Sequence, residues 1–343
     1  MPAARGRQGR RRVLHGGAVV LFACALLAGC GGSSPQTRGT APAPTGSGTP
    51  GARRGVTGAG PPGAATAAGP SAGRPCGEHV ASPRYDHVLW VWMENESLPS
   101  VVGSSDAPFV TSLAAACGLA VGYQAVTHPS LPNYLAATGG STFGVTDDAP
   151  PSAHPLAGRS IFAQVAAAGL TWRSYAESMS MPCQRDDAGL YAVRHNPAVY
   201  YVGLGSSCAA ADVPMGPVVG GTLWQDLQGT AFANFAFVIP NVCDDMHNCS
   251  VAHGDAWLHS FLTMVFDSPT YRRGHLAVFV VWDEGVQDQN VPALVAAPSV
   301  PRGARPAGSF SHYSLLRTAE DLLGLAPLGQ AATAPSMVRA FGL

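Results

Sequence analysis

Apolar residues are concentrated in a few dense runs. Three of them, His87–Met93 (HVLWVWM), Phe235–Ile239 (FAFVI) and Leu276–Trp282 (LAVFVVW), are almost continuously apolar. That is the pattern of a strand buried on both faces, not of one with a wet side. Further extended runs are predicted at 120–126, 171–175 and 292–296. Helices are predicted over 109–116, 160–168 and 256–266, with an amphipathic helix over 312–323 and at least one helical turn over 134–138 ahead of Gly139 and Gly140. Buried strands alternating with helices imply an α/β domain with a mostly parallel sheet covered on both faces. In that architecture ligands gather at the carboxyl ends of the strands.

Nothing of this kind occurs before residue 76. Residues 1–30 place Arg5, Arg7, Arg10, Arg11 and Arg12 ahead of an apolar run, Val19 to Leu27, and end in Leu27-Ala28-Gly29-Cys30. A basic start, a short apolar stretch and small residues mark an export signal. The last four positions resemble the bacterial lipobox, whose cysteine is lipidated and becomes the first residue of the mature protein. Arg10-Arg11-Arg12-Val13-Leu14 also fits a loose twin-arginine pattern, so the export route stays open. Residues 31–75 are dominated by Gly, Ala, Pro, Ser and Thr and hold almost no large apolar side chain. They cannot bury a core and are expected to be a disordered tether. The folded domain is expected over 76–343. The chain is therefore expected to be an exported lipoprotein held to a membrane through Cys30, facing the envelope or exterior.

The charge divides at the same boundary. Of the 20 basic residues, all Arg, nine precede residue 76, whereas all 21 acids follow it, leaving 11 against 21 and a net charge of −10 for the domain. A domain that acidic is a poor nucleic-acid binder, and an anionic substrate would need a local cation, for which a metal is the obvious source. The domain's six cysteines, 76, 117, 183, 208, 243 and 249, imply three disulfides in an exported protein. Proximity along the chain favours 76–117, 183–208 and 243–249 among the possible pairings. A thiolate zinc site is disfavoured because no two have C-x-x-C spacing.

Chemistry collects at the ends of the predicted strands. The first runs into Glu94-Asn95-Glu96-Ser97, the one ending at Ile239 into Asn241, Asp244, Asp245 and His247, and the one ending at Trp282 into Asp283-Glu284-Gly285. Carboxylates and an amide oxygen from separate strands can converge on one hard cation. Each alone could equally be a turn former or helix cap. Asp245-x-His247 has plausible ligand spacing, and His253 and Asp255 follow it, although Ser250 to Asp255 reads more simply as the opening of the helix containing Trp257. Thr127-His128-Pro129-Ser130-Leu131-Pro132-Asn133-Tyr134 puts a hydroxyl between two prolines at a helix entrance. There, free N–H groups and a partial positive charge would suit an attacked phosphoryl group. Ser130 is thus either a nucleophile or a helix cap, serine being among the preferred caps.

Taken together, Glu94-Asn95-x-Ser97, Thr127-His-Pro-Ser-x-Pro-Asn-Tyr134, Arg194-His-Asn-Pro197, Cys243-x-Asp-Met-His-x-Cys249 and Trp282-Asp-Glu-Gly285 resemble the bacterial phosphoesterase family, which includes phospholipase C-type and acid phosphatase enzymes and is related to the alkaline phosphatase superfamily. The resemblance implies a three-layer α/β/α sandwich in which Ser130 attacks phosphorus and Glu94, Asn95, Asp283 and Glu284 hold a divalent metal. It also implies that His195 and His312 stabilise phosphoryl oxygens or protonate the leaving group; His128, two residues before Ser130, is a further candidate. Ser-x-Pro-Asn is similar to the nucleophile motif of nucleotide pyrophosphatases, where threonine stands in the serine's place. Those two-metal relatives have Asp-His where this chain has Asp283-Glu284, and the departure favours one metal. The expected activity is hydrolysis of phosphate monoesters through a phosphoseryl intermediate. The alternatives are a phospholipase C-type phosphodiesterase, a phosphoglycerol or sugar-phosphate transferase, and a non-catalytic surface lipoprotein that binds a phosphorylated envelope component.

Overall fold

The computed structural model describes residues 74–78, 84–230, 232–286 and 288–343. The expected export signal and lipobox, and all of the expected tether but residues 74 and 75, lie outside the described residues. In chain order the strands are β1 (His87–Met93), β2 (Gly118–Leu119), β3 (Tyr123–Gln124), β4 (Trp172–Ala176), β5 (Asp212–Pro214), β6 (Phe235–Ile239), β7 (Leu276–Trp282), β8 (Ala293–Ala296) and β9 (Phe310–Ser311). The helices are α1 (Leu98–Val101), α2 (Pro108–Ala116), α3 (Ser130–Gly139), α4 (Ile161–Ala167), α5 (Ser206–Ala211), α6 (Thr222–Gln228), α7 (Val251–Asp267), α8 (Pro269–Arg272), α9 (His312–Leu322) and α10 (Val338–Phe341).

Seven strands form one sheet in the order β2-β8-β7-β1-β6-β4-β5. The five from β7 to β5 run parallel, while β8 pairs antiparallel with both β7 and β2. The most apolar runs occupy the centre, as double-sided burial requires: Val88 to Met93, Phe235 to Ile239 and Leu276 to Trp282 are all buried. Trp90 packs edge-on to Phe235, and Trp92 lies between Tyr134 of α3 and Phe237. The fold class is α/β with a mostly parallel sheet, as the pattern implied. What the pattern missed are the very short strands β2, β5 and β9. The run at 120–126 is extended only at Tyr123–Gln124, where it pairs with β9 in a separate two-stranded sheet.

The helix at 256–266 starts earlier than its apolar stripe suggests. Ser250 accepts a hydrogen bond from the N–H of His253 and starts α7 at Val251, so Ser250 to Asp255 do open a helix. The disulfides are Cys76–Cys117, Cys183–Cys208 and Cys243–Cys249, with Cα–Cα distances of 5.3, 5.5 and 4.7 Å. These are the pairs that proximity favoured. The first ties Cys76 to the residue that follows α2, and the last closes the loop that carries Asp245 and His247. Among the described residues no helix is long and apolar enough to cross a membrane.

Candidate active site

Because β6, β1 and β7 are neighbours and parallel, the residues just after them emerge side by side. Backbone hydrogen bonds fasten the three tips: Glu94 N–H donates to the carbonyl of Asp245 at 2.8 Å, Asp283 N–H to that of Met93 at 3.0 Å, and Asn95 N–H to Asp283 Oδ1 at 3.0 Å. Asn95 sits at φ +55°, a left-handed conformation that Asn tolerates better than most residues. After Glu284 the chain must turn sharply. A Cβ on Gly285 would lie 2.0 Å from the Asp288 carbonyl oxygen, so glycine is required there.

Across from these tips stands the first turn of α3. Ser130 is its first residue, and its hydroxyl makes no cap; it donates to Glu94 Oε2 at 3.0 Å. Tyr134, one turn on, donates to Glu94 Oε1. The loop ahead of Ser130 is held by Asn133, whose Oδ1 accepts from Val126 N–H and Thr127 N–H and whose Nδ2 donates to the carbonyl of Thr127 and to Glu284 Oε2. His128 is half-exposed at the rim, with Nδ1 3.0 Å from Glu284 Oε2.

His195, almost fully buried, lies between two carboxyl groups, with Nε2 3.4 Å from Glu94 Oε1 and Nδ1 3.3 Å from Asp245 Oδ2. These approaches lack hydrogen-bond alignment, so both ring nitrogens remain without a partner, as do Asp245 Oδ2 and Asp283 Oδ2. The ring stacks in parallel on Tyr134, at 5.5 Å and 4°. Glu94, His195 and His247 offer ligand atoms within 4.8 Å of one another.

The electrostatics of the cluster are those of crowded buried carboxylates, offset only in part by Arg194, which pulls Asp245 down. Burial first, then Asp283 and Asp245, hold the Glu94 carboxyl well above the ordinary glutamate range. Burial raises Asp245; burial and then Glu284 raise Asp283; burial and then Asp148 raise Glu284. Burial, with Arg194 and His247 nearby, pushes His195 down, toward the neutral form that binds metals. Orphaned carboxylate oxygens beside orphaned imidazole nitrogens, with ligand atoms of Glu94, His195 and His247 within 4.8 Å of one another, make a donor set that fits a divalent cation, whose charge would reverse these shifts.

Two expected features of the site have other partners in the structure. His312 was expected to act on phosphoryl oxygens or the leaving group. Its Nε2 instead donates to the Asp283 carbonyl oxygen at 2.6 Å, and its Nδ1 accepts from the Tyr123 hydroxyl at 3.0 Å, leaving no nitrogen free. Burial drives its pKa to about 4 and keeps it neutral. It therefore braces the Asp283 turn. The α3 N-terminus was expected to offer free N–H groups, but Asp148 Oδ1 accepts from Leu131 N–H at 2.9 Å, with Arg194 Nε 4.0 Å from its other oxygen.

Asp283, Glu284, Glu94 and Ser130 come together as the strand-tip argument requires. Asn95 joins through its backbone N–H. Asp245 and His247 belong to the cluster more closely than their ambiguous spacing indicated. Asp148 carried no local signal, since its partner is 17 residues away. His253 pairs with Asp244 at 2.7 Å, and Asp255 accepts from Phe109 N–H and Val110 N–H to cap α2, so both stand outside the cluster. A cavity of about 620 Å³ between the starts of α2 and α7, lined by Asp106, Phe109, Asp255 and His259, contains none of the cluster residues.

A sequence profile described as the phosphoesterase family matches residues 88–326. The chain is 33% identical over 271 residues to a phosphatidylinositol-3-phosphatase of Mycobacterium tuberculosis, covering 76% of this chain and 85% of that protein. It is 23% identical over 266 residues to an acid phosphatase of Aspergillus fumigatus, covering 74% of this chain and 58% of the fungal one, and so spans somewhat over half the length of that relative. Among solved structures, an alkaline phosphatase superfamily protein from Vibrio parahaemolyticus superposes with a TM-score of 0.51 at 13% identity, over 80% of this chain and 74% of that one. A lipoteichoic acid synthase from Listeria monocytogenes does so with a TM-score of 0.52 at 12% identity, over 72% and 76%. At such identities the likeness shows the fold alone.

Proposed function

The chain belongs to the phosphoesterase family and is a hydrolase of phosphate esters, and from that premise we propose that it is a phosphomonoesterase working through a phosphoserine at position 130. The observation that carries this reading is the contact of Ser130 Oγ with Glu94 Oε2 at 3.0 Å, inside a buried carboxylate cluster, where a mere cap would face its own helix. Glu94, Asn95, Asp283 and Glu284 would hold one divalent cation, and His195 and His247, whose ligand atoms lie within 4.8 Å of one from Glu94, would border it together with Asp245. When bound, the ion lowers the pKa of a hydroxyl and screens charge growing on phosphoryl oxygens.

The chain's own residues do the rest. Asn133 fixes the loop so that Ser130 enters α3 facing Glu94. As the Oγ–phosphorus bond forms, the Ser130 proton passes to Glu94 Oε2, to which the hydroxyl already donates. The bond from phosphorus to the leaving oxygen breaks, and that oxygen takes a proton at the rim, where His128 stands half-exposed against Glu284. Water then adds to phosphorus and gives a proton back to the rim where His128 stands, the Oγ–phosphorus bond breaks, Glu94 returns its proton to Ser130, and inorganic phosphate leaves. Arg194, linked to Asp148 and to His247 Nε2, adds positive charge beside the site.

Three disulfides accord with an extracytoplasmic protein. We further propose that Cys30 is lipidated and anchors the enzyme to a membrane, and that its substrate is a phosphomonoester presented on an amphiphile, in line with the name of its mycobacterial relative. Detergent phase partitioning of Cys30→Ser tests the anchor: a variant that stays in the detergent phase removes it. The catalytic reading is tested by acid quench during turnover of a phosphomonoester, followed by mass spectrometry. Phosphate is expected on Ser130, and its absence under burst conditions would return that residue to a structural role.

A further inference from the structure

Asp212 opens the edge strand β5 and is completely buried, yet no cation neutralises it among the described residues. Asn196 Nδ2 donates to its Oδ2 at 2.9 Å; its Oδ1 has no aligned hydrogen bond, although the Ser174 hydroxyl lies near. Burial moves its carboxyl up to about 7, held down slightly by Asn196 and Ser174. Around it stand Ser174, opposite it in the β4–β5 register, the Cys183–Cys208 disulfide, whose Cys183 N–H donates to the Asp212 carbonyl, and Tyr191, whose hydroxyl accepts from Asn196 and donates to the Gln184 carbonyl. Tyr191 is the neighbouring titratable group; burial and then Asp212 hold it in the phenol form.

Asn196 is also fully buried, and its own Oδ1 is likewise an orphan. A carboxylate cannot satisfy that oxygen, because it has no proton to give. A carboxylic acid can. With Asp212 protonated on Oδ1, the acid donates to Asn196 Oδ1 while accepting from Asn196 Nδ2, and both orphans are met in one cyclic acid–amide pair. Asn196 ends the short 3-10 turn Val193–His195 and follows His195 directly, so whatever fixes its side chain fixes that turn.

We propose that Asp212 is a positioning residue: paired acid-to-amide with Asn196, it holds the Arg194–Asn196 turn from behind and so sets the His195 ring between Glu94 and Asp245. This rests on the proposed site in taking His195 as part of its donor set. Asp212 touches neither substrate nor cation, and its effect reaches the reaction through Asn196 alone.

The test uses side-chain ¹H–¹⁵N spectra of the histidines in the full chain, with His195→Gln for assignment, and compares wild type with Asp212→Asn and Asp212→Ala. Asparagine can make both hydrogen bonds at every pH, so Asp212→Asn should keep the wild-type His195 signals, and its kcat/KM should fall less steeply than that of the wild type as pH rises through 7. Asp212→Ala should shift or double the His195 signals and weaken zinc binding about tenfold or more, the usual size of an indirect effect on a ligand's orientation. Unchanged His195 signals in Asp212→Ala overturn the proposal. Should that variant not fold, coincident pH profiles of wild type and Asp212→Asn overturn it instead. If zinc leaves the wild-type His195 signals untouched while Asp212→Ala still displaces them, the positioning role stands and the donor-set reading falls.

Discussion

Helices α3 and α7 both have a serine at their entrance, and the two serines do opposite things. At α7, Ser250 is the N-cap, its oxygen accepts from His253 N–H, and the helix start is self-sufficient. At α3, the N-cap is Pro129, which has no side-chain oxygen, and Ser130 turns its hydroxyl to Glu94. The N–H of Leu131, which a local serine would ordinarily serve, is taken by Asp148 from the following loop. A cap is worth about 1 kcal/mol wherever its oxygen comes from. Moving that duty to Asp148 leaves the Ser130 hydroxyl free among carboxylates. The difference between the two helices is therefore who caps, and it marks one serine as structural and the other as available for chemistry.

The sharpest break in this comparison is the pair Ser130→Ala and Ser250→Ala. Loss of Ser130 should lower kcat by several powers of ten, leaving a residue of activity from the remaining contacts, with little change in thermal unfolding. Steady-state kinetics and calorimetry on the same samples check it. A Ser130→Ala enzyme that melts early yet turns over normally would make the two serines alike after all.

Next in size is removal of metal. Glu94, Asp245, Asp283 and Glu284 are all raised by burial, with mutual repulsion adding to it at Glu94 and Asp283, Asp245 to about 8 and Glu284 to about 7. A carboxyl raised on folding contributes stability that is complete below its ordinary range near 4 and lost as pH climbs through the folded value. The chelated protein should thus lose activity, and its melting temperature should fall between pH 5 and 9, whereas the metal-loaded protein should show a much flatter profile. Chelation that alters neither rate nor melting curve removes the cation from the mechanism. It would also leave Ser130 without the charge that distinguishes its surroundings from those of Ser250.

Much of this contrast could be read along the chain, and its limits are physical. The central strands were legible because burial on both faces leaves an unbroken apolar run, as in Leu276–Trp282. The strand-tip residues Glu94, Asp283 and Glu284 were legible because parallel neighbours must end together. Strands β2 and β5, two and three residues long, are made by tertiary pairing and have no pattern of their own. Asp148 was illegible for a related reason: a cap supplied from 17 residues away leaves no signature near the helix it serves. Ser130 was ambiguous because residue type favours caps, and only the direction of its hydroxyl decides. The partners of His312 were illegible because a motif position says nothing about which atoms its nitrogens face.

Asp148→Ala tests whether the cap was indeed displaced. It should cost about 1 kcal/mol of stability by orphaning Leu131 N–H, and it also removes the neighbouring charge that raises Glu284. A moderate change in KM with kcat within a few-fold of wild type is expected, since Asp148 borders the site but does not contact Ser130 Oγ. Urea denaturation gives the stability term. A loss of kcat as large as that of Ser130→Ala would show that Asp148 takes part in the reaction itself and does more than cap.

The smallest effect belongs to Ser250→Ala, and it is the control on which the comparison rests. Removing this oxygen should destabilise the domain by about 1 kcal/mol, because the first turn of α7 loses a partner for His253 N–H that water then replaces. α7 packs Trp257, Leu258, Phe261 and Val265 into the core, so fraying of one exposed turn should not propagate. The loop bearing Asp245 and His247 ends immediately before Ser250, but Cys243–Cys249 closes it independently of the helix cap. Turnover and metal affinity should therefore match the wild type while the urea midpoint falls. The informative alternative is a Ser250→Ala protein of normal stability that binds metal weakly. In that case the α7 entrance would be positioning Asp245 and His247, and the two helix starts would share a single role in the site.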